Sequence, residues 1–203
     1  KREDLQYFTD KVIISANFKD SKVHLDELNV FYNEFGRNQS ANFSVNLSGT
    51  LNDLYTKNLK LTSSRNTKIY GHLHFKNLFS RADNNFYMNG NFRNLSSTYK
   101  DLKALLPNVL GASIPSSFDS LGKFKIVGNT QVTTSTVHAD IDITTELGFI
   151  DSKLEINKIN DIDNALYKGE IALEQFDFGT FFNNPQLGFG SLNLDVNGKG
   201  FAP

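Results

Sequence analysis

The sequence predicts an all-β protein, built as an elongated antiparallel sheet with one or two short amphipathic helices acting as plugs. Three observations carry this. Apolar residues recur with period two through most of the chain, the positions between them are Asn, Ser, Thr, Lys and Asp, and a strand–plug–strand unit repeats. Strict alternation gives a strand one apolar and one solvated face, as in antiparallel sheet covered on a single side. Parallel strands buried on both faces would read as unbroken Val/Ile/Leu runs.

The strands follow in order. Val12, Ile14, Ala16 and Phe18 share one face, as do Phe43, Val45, Leu47, Gly49 and Leu51. Ile69, Gly71, Leu73 and Phe75 form the next series, then Phe86, Met88, Gly90 and Phe92. Phe124 and Ile126, Val137, Ala139, Ile141 and Ile143, and Leu154 and Ile156 continue it. Tyr167, Gly169, Ile171 and Leu173, then Leu192, Leu194 and Val196, complete it.

Two segments depart from alternation. Residues 97–107 place Leu102, Leu105 and Leu106 at helical spacing, with Ser97 and Thr98 as N-cap candidates and Pro107 as a stop. Residues 176–185 do the same with Phe178, Phe181 and Phe182. Each is too short to stand alone and must press its apolar side on a sheet. Both plugs belong to a repeat, about 86–128 and 167–198, in which a strand, a plug, Leu-Gly and a Gly-closed strand follow one another. The strand part recurs at Val45-Asn46-Leu47-Ser48-Gly49. Such repetition points to a quasi-one-dimensional architecture rather than a closed globule.

Composition narrows the function. The 203 residues carry 21 Lys+Arg and 22 Asp+Glu, a net charge of −1, so nucleic acid is not an expected partner. With no Cys there is no disulfide, thiolate metal site or cysteine nucleophile. Apolar runs fall short of the roughly 20 residues that span a bilayer, and Lys1-Arg2-Glu3-Asp4 lacks a signal-peptide pattern. The chain begins and ends mid-pattern, with 198–203 reading as a strand exit, so an internal piece of a longer protein is expected.

Catalytic and metal motifs are weak. His72 and His74 lie two apart on a polar strand face without a third ligand nearby in sequence. Asp161-Ile162-Asp163-Asn164 lacks the Gly and closing Glu of a calcium loop and reads as a turn. Asp140 and Asp142 flank Ile141 on a solvated face, where paired carboxylates have no pocket. Nucleophile elbow, Walker and dinucleotide motifs are missing, and no cofactor is expected. A non-enzymatic role is the expectation.

The run Leu47-Ser48-Gly49-Thr50-Leu51-Asn52-Asp53-Leu54, continuing to Lys57-Asn58-Leu59-Lys60-Leu61, resembles the TamB proteins of the AsmA-like superfamily, especially Bacteroidetes versions. So do Tyr99-Lys100-Asp101-Leu102-Lys103-Ala104-Leu105-Leu106-Pro107 and Phe178-Gly179-Thr180-Phe181-Phe182-Asn183-Asn184-Pro185-Gln186-Leu187-Gly188. The likeness covers almost the whole chain in order, although none of its pieces is a catalytic fingerprint. It implies a β-taco, a sheet folded over into a curved groove with an apolar interior. It also implies a periplasmic bridge, anchored in the inner membrane by an N-terminal helix outside this chain. Such a bridge moves phospholipid to the outer membrane, or helps assemble and secrete outer-membrane proteins with an Omp85-family barrel that meets another part of the protein.

On that reading the strand positions Val12, Ile14, Phe43, Val45, Leu47, Ile69, Leu73, Phe75, Phe92, Phe124, Ile126, Ile141, Ile143, Leu154, Ile156, Ile171, Leu173, Leu192, Leu194 and Val196 line a lipid groove. A 16-carbon tail entering such a groove from water gains roughly 10 kcal/mol, at about 0.8 kcal/mol per CH₂. Transfer from a bilayer is nearly neutral, because both surroundings are apolar. Periodicity alone fits a closed sandwich with a dry core better than an open groove, and the resemblance reverses that preference. An adhesin-type sandwich would need an exposed aromatic platform, and the Tyr positions are too scattered for one.

Overall fold

A computed structural model describes residues 7–29, 35–78, 85–107 and 116–200. Lys1–Asp4 and, of the strand exit predicted over 198–203, residues 201–203 lie outside these residues. Ten strands run in sequence as β1 (Ile14–His24), β2 (Ser40–Thr50), β3 (Asp53–Ser63), β4 (Lys68–Lys76), β5 (Tyr87–Thr98), β6 (Lys123–Thr133), β7 (Thr136–Thr144), β8 (Phe149–Asn157), β9 (Leu166–Asp177) and β10 (Phe189–Lys199). They form one antiparallel sheet in the order of the chain, each strand bonded to its sequence neighbours. The sheet does not close: β1 and β10 are its two edges. The expected all-β class is therefore correct, and the curved-groove form is consistent with the open sheet.

The alternation read from sequence marks nine of these strands. It misses β3, takes in Leu51, which lies in the β2–β3 turn, and takes in Phe86, which precedes β5. Each difference has a local cause. In β3, Leu54 and Thr56 face one way, then Asn58 enters a left-handed conformation (φ 54°) and the apolar phase resumes at Leu59 and Leu61. An extra residue in one strand of a pair shifts the side-chain phase by one and bends the strand.

Among the described residues, four short α-helices accompany the sheet: α1 (Phe8–Lys11), α2 (Leu25–Leu28), α3 (Tyr99–Leu105) and α4 (Phe178–Phe182). A 3-10 helix spans Ser116–Leu121. The two predicted plugs are α3 and α4. Thr98 caps α3 by accepting from the Asp101 amide (3.1 Å), and Asp177 caps α4 by accepting from the Thr180 amide (2.9 Å). Asn183, in a left-handed conformation, ends α4. Both helices, with α2 and the 3-10 helix, stand along the same long margin of the sheet.

The reason is topological. The odd-to-even connections of a meander all fall on one side. Here β1–β2, β5–β6 and β9–β10 carry helices there, while β3–β4 and β7–β8 are joined by tight turns at 64–67 and 145–148. The strand–helix–strand unit thus recurs every four strands. The copy read from sequence as a strand alone, at 45–49, is β2, and it too follows a helix, α2. Leu25, Ala41 and Leu105 form one core cluster under α2 and α3, joined by Val23, Leu61 and Leu106. Leu121, Leu147 and Phe176 form another under the 3-10 helix and α4, joined by Ile150, Leu173, Phe178 and Phe181. A Lys100–Asp119 ion pair of 2.9 Å links α3 to the 3-10 helix. The helices α2, α3 and α4 and the 3-10 helix form a rim along one side of the sheet and press apolar side chains onto it.

Candidate functional site

Strand register gathers the apolar residues into rows that cross the sheet at right angles to the strands. One row runs Ala16–Leu47–Thr56–Leu73–Gly90–Thr130–Ala139–Leu154–Gly169–Val196 and touches every strand. A second runs Leu59–Gly71–Phe92–Gly128–Ile141–Ser152–Ile171–Leu194. A third runs Phe43–Leu61–Ile69–Leu95–Ile126–Ile143–Ile150–Leu173–Leu192. Ile14, Phe75, Phe124 and Ile156 share this face in flanking rows. Every lining position named from the sequence lies on it except Val12, which precedes β1 and forms the C-cap of α1. With strands about 4.8 Å apart, ten of them make each full row about 43 Å long.

Leu54, Leu59, Leu61 and Leu95 belong to the same face, and sequence reading did not assign them to it, because the extra residues at Asn58 and Arg93 had displaced the phase. The other face is polar. Asp140, Lys153 and Glu170 succeed one another in one of its rows, and His138, Glu155 and Lys168 in the next. Glu155 accepts from the Asn157 side chain (2.9 Å) and pairs with Lys168 (3.1 Å), contacts that hold its carboxyl below its ordinary value. His138, Asp140, Lys153, Glu155 and Lys168 border a shallow depression of about 580 Å³. Its lining joins charged side chains of the polar face to Thr130, Ala139, Leu154 and Gly169 of the first apolar row.

The two histidines have structural partners. His74 shares a 2.5 Å contact with Asp53 and stacks on Tyr55, with ring centroids 3.9 Å apart. His72 Nδ1 accepts from the Asn58 amide (3.2 Å), which ties down the extra residue of β3. Among the described residues no group of three or more His, Cys, Asp or Glu is placed to hold a metal ion.

The apolar face is folded along a line. Extra residues occur at Asp20 in β1, Asn58 in β3 and Arg93 in β5, each beside its neighbours on adjoining strands. Between and beyond them, β4 and β6 contribute Gly71 and Gly128. A Cβ at Gly71 would lie 2.2 Å from the Asn91 carbonyl oxygen, and one at Gly128 would lie 2.3 Å from that of Asp140. Extra residues and glycines in strand interiors are the two devices that bend a sheet sharply. Along this line Val45, Leu59 and Phe92 are buried to between 6% and 9% exposure, although no described layer covers them. Side chains on the inside of a bend shield one another. On the edge strand β10, Leu192 and Leu194 are 43% and 37% exposed.

The rim helices depend on caps. At α4, the Thr180 amide, then the Thr180 hydroxyl and the Gly179 amide, hold the Asp177 carboxyl below its ordinary value of 3.8. A carboxyl depressed in the folded state stabilises it above the unfolded pKa, and that contribution is lost as pH falls through the folded value. The protection factor of the Thr180 amide, observed exchange set against the intrinsic rate at each pH, is therefore expected to fall at acid pH in the wild type. In Asp177→Ala protection should be low already at neutral pH, without that acid step.

The fold and this face define a one-sided, open, apolar-faced antiparallel sheet. No protein-family profile, curated protein or solved structure matches the chain. No helix among the described residues is long and apolar enough to cross a membrane.

Proposed function

We propose that this chain is a non-enzymatic groove segment that carries phospholipid acyl chains along its apolar face. It would act within a periplasm-spanning bridge between the inner and outer membranes of a Gram-negative bacterium. The observation that supports the reading most is the set of apolar rows crossing the sheet with no described layer over their middle. A contiguous apolar face open to water is costly, and patches beyond a few hundred Å² usually meet a ligand, a membrane or a partner. An acyl chain fits because the rows are long, narrow in chemistry and nearly free of directional groups. Such a face holds a tail about as well as a bilayer does and so neither traps nor rejects it. The periplasmic setting, the inner-membrane anchor and the Omp85-family partner come from the TamB-like resemblance and concern other parts of the protein.

Photocrosslinking tests this reading. A benzophenone side chain at Leu194, on the apolar face, is expected to capture phospholipid in cells, identified by mass spectrometry. The same group at Asp195, on the polar face, should not. Protein adducts at Leu194 with no lipid would overturn the proposal in favour of a scaffold for outer-membrane protein assembly.

A further inference from the structure

We infer that the polar face of β3–β6 is a binding site for a linear acidic polysaccharide. This face lies opposite the apolar rows, and the inference stands independently of the acyl-chain reading. The net charge of −1 conceals a segregation of charge. On β3, β4 and β6 the polar face presents Lys57, Lys60, Lys68, Lys76, Lys123 and Lys125, all exposed, with Asp53 as the one carboxylate there among the described residues. Asp53 is engaged by His74, and none of these lysines pairs with a carboxylate among the described residues. On the neighbouring strands β7 and β8 the same face carries Asp140, Asp142, Asp151 and Glu155 against Lys153. Like charges without counter-charges repel one another and draw in an anion, and the acidic strands beside them confine that anion to β3–β6.

Between the lysines stands a block of neutral hydrogen-bonding groups. Asn89 and Asn91 of β5 lie opposite Gln131 and Asn129 of β6, and all four are exposed. The Asn91 side-chain amide donates to the Asn129 oxygen (2.8 Å). Carboxamides both donate and accept, which matches the double character of sugar hydroxyls. Strands lie about 4.8 Å apart, close to the advance of one pyranose in an extended chain, so successive sugars meet successive strands. In the row of Asn89 and Gln131, Tyr55 stacks on His74 with ring centroids 3.9 Å apart. The other side of Tyr55, which is 40% exposed, looks over the small Ser48 and can take the flat face of a sugar ring. A nucleic acid would need several free ring faces for its bases. Here His74 is covered by Tyr55 and met edge-on by Tyr87 (centroids 6.4 Å), which favours a glycan.

The test titrates the full-length protein with polygalacturonate oligomers in a calorimeter. Binding is expected, and it should weaken as salt rises. Cellohexaose, which is linear and uncharged, should bind several-fold more weakly. Lys57→Gln combined with Lys60→Gln should lower polygalacturonate affinity several-fold, whereas Lys153→Gln should leave it unchanged. Asn89→Ala combined with Gln131→Ala should weaken polygalacturonate but not polyphosphate, which shares the charge and lacks the hydroxyls. All these side chains are exposed, and circular dichroism checks that each variant keeps the fold. No binding of polygalacturonate would overturn the inference. So would tighter binding of polyphosphate, of an oligothymidylate or of phosphatidylglycerol vesicles, or an amide pair whose loss affects both polymers alike. Each of these failures leaves the acyl-chain reading standing, because phospholipid capture at Leu194 is read on the other face.

Discussion

Gly128→Val is expected to destabilise the sheet by roughly 2–6 kcal/mol, combining strain from a left-handed conformation with overpacking against backbone. Gly128 holds φ at 133°, which a β-branched residue does not adopt without strain. Its side chain would also run into the Asp140 carbonyl oxygen, and the first added carbon would lie 2.8 Å from Ile141 Cα. Neighbouring backbone in a ten-stranded ladder has no room to give, so either the fold line straightens or the β6–β7 pairing breaks. Urea denaturation followed by circular dichroism reads the loss. Ala139→Val is the control: it adds two methyl groups on the same face in an ordinary strand position, and a comparable loss there would refute the fold-line account.

Ile171→Asp is expected to abolish lipid capture at Leu194, with at least a tenfold drop in adduct yield, while costing only about 1–2 kcal/mol of stability. Ile171 is half-buried on the apolar face, beside Ser152 and Leu194. A carboxylate there keeps partial contact with water, so the sheet tolerates it. An acyl chain laid over the same row would strip that water, and burying an unpaired charge costs far more than the contact returns. Val45→Asp makes the opposite case: at 6% exposure the charge is buried by the protein itself, so the variant should unfold rather than merely fail to bind. Matching thermal melts for wild type and Ile171→Asp, together with unchanged lipid capture, would sink the proposed function.

Most of the fold was legible because period-two alternation survives wherever a strand is regular. From β6 to β8 the apolar phase runs without a break, and Phe124, Ile126, Val137, Ile141, Leu154 and Ile156 all fall where the pattern puts them. It failed where bending is built in. At Asn58 and Arg93 an inserted residue flips the phase, so β3 was not read as a strand and Leu95 was not assigned to the apolar face. Phe176 was grouped with the plug for the same reason: Gln175, at φ 49°, displaces it from the alternation of β9, yet it is a buried strand residue under α4. The plugs themselves were legible from Leu102, Leu105 and Leu106 and from Phe178, Phe181 and Phe182. Their arrangement along one margin was not, because it depends on counting every strand, and one strand had gone unseen. Phe92 was visible only as one more apolar position. Its setting among Gly71, Gly90 and Gly128 is a cross-strand relation that no local window contains.

The recurrence of a helix-bearing connection every fourth strand makes length a countable property. Adding or removing strands in pairs keeps all later helices on the same lip and preserves the side that stays open. Adding or removing a single strand reverses the direction of everything downstream and throws the next helix across to the opposite lip. An architecture of this kind can be lengthened to match a gap only in even steps, much as a zip fastener is extended by whole teeth.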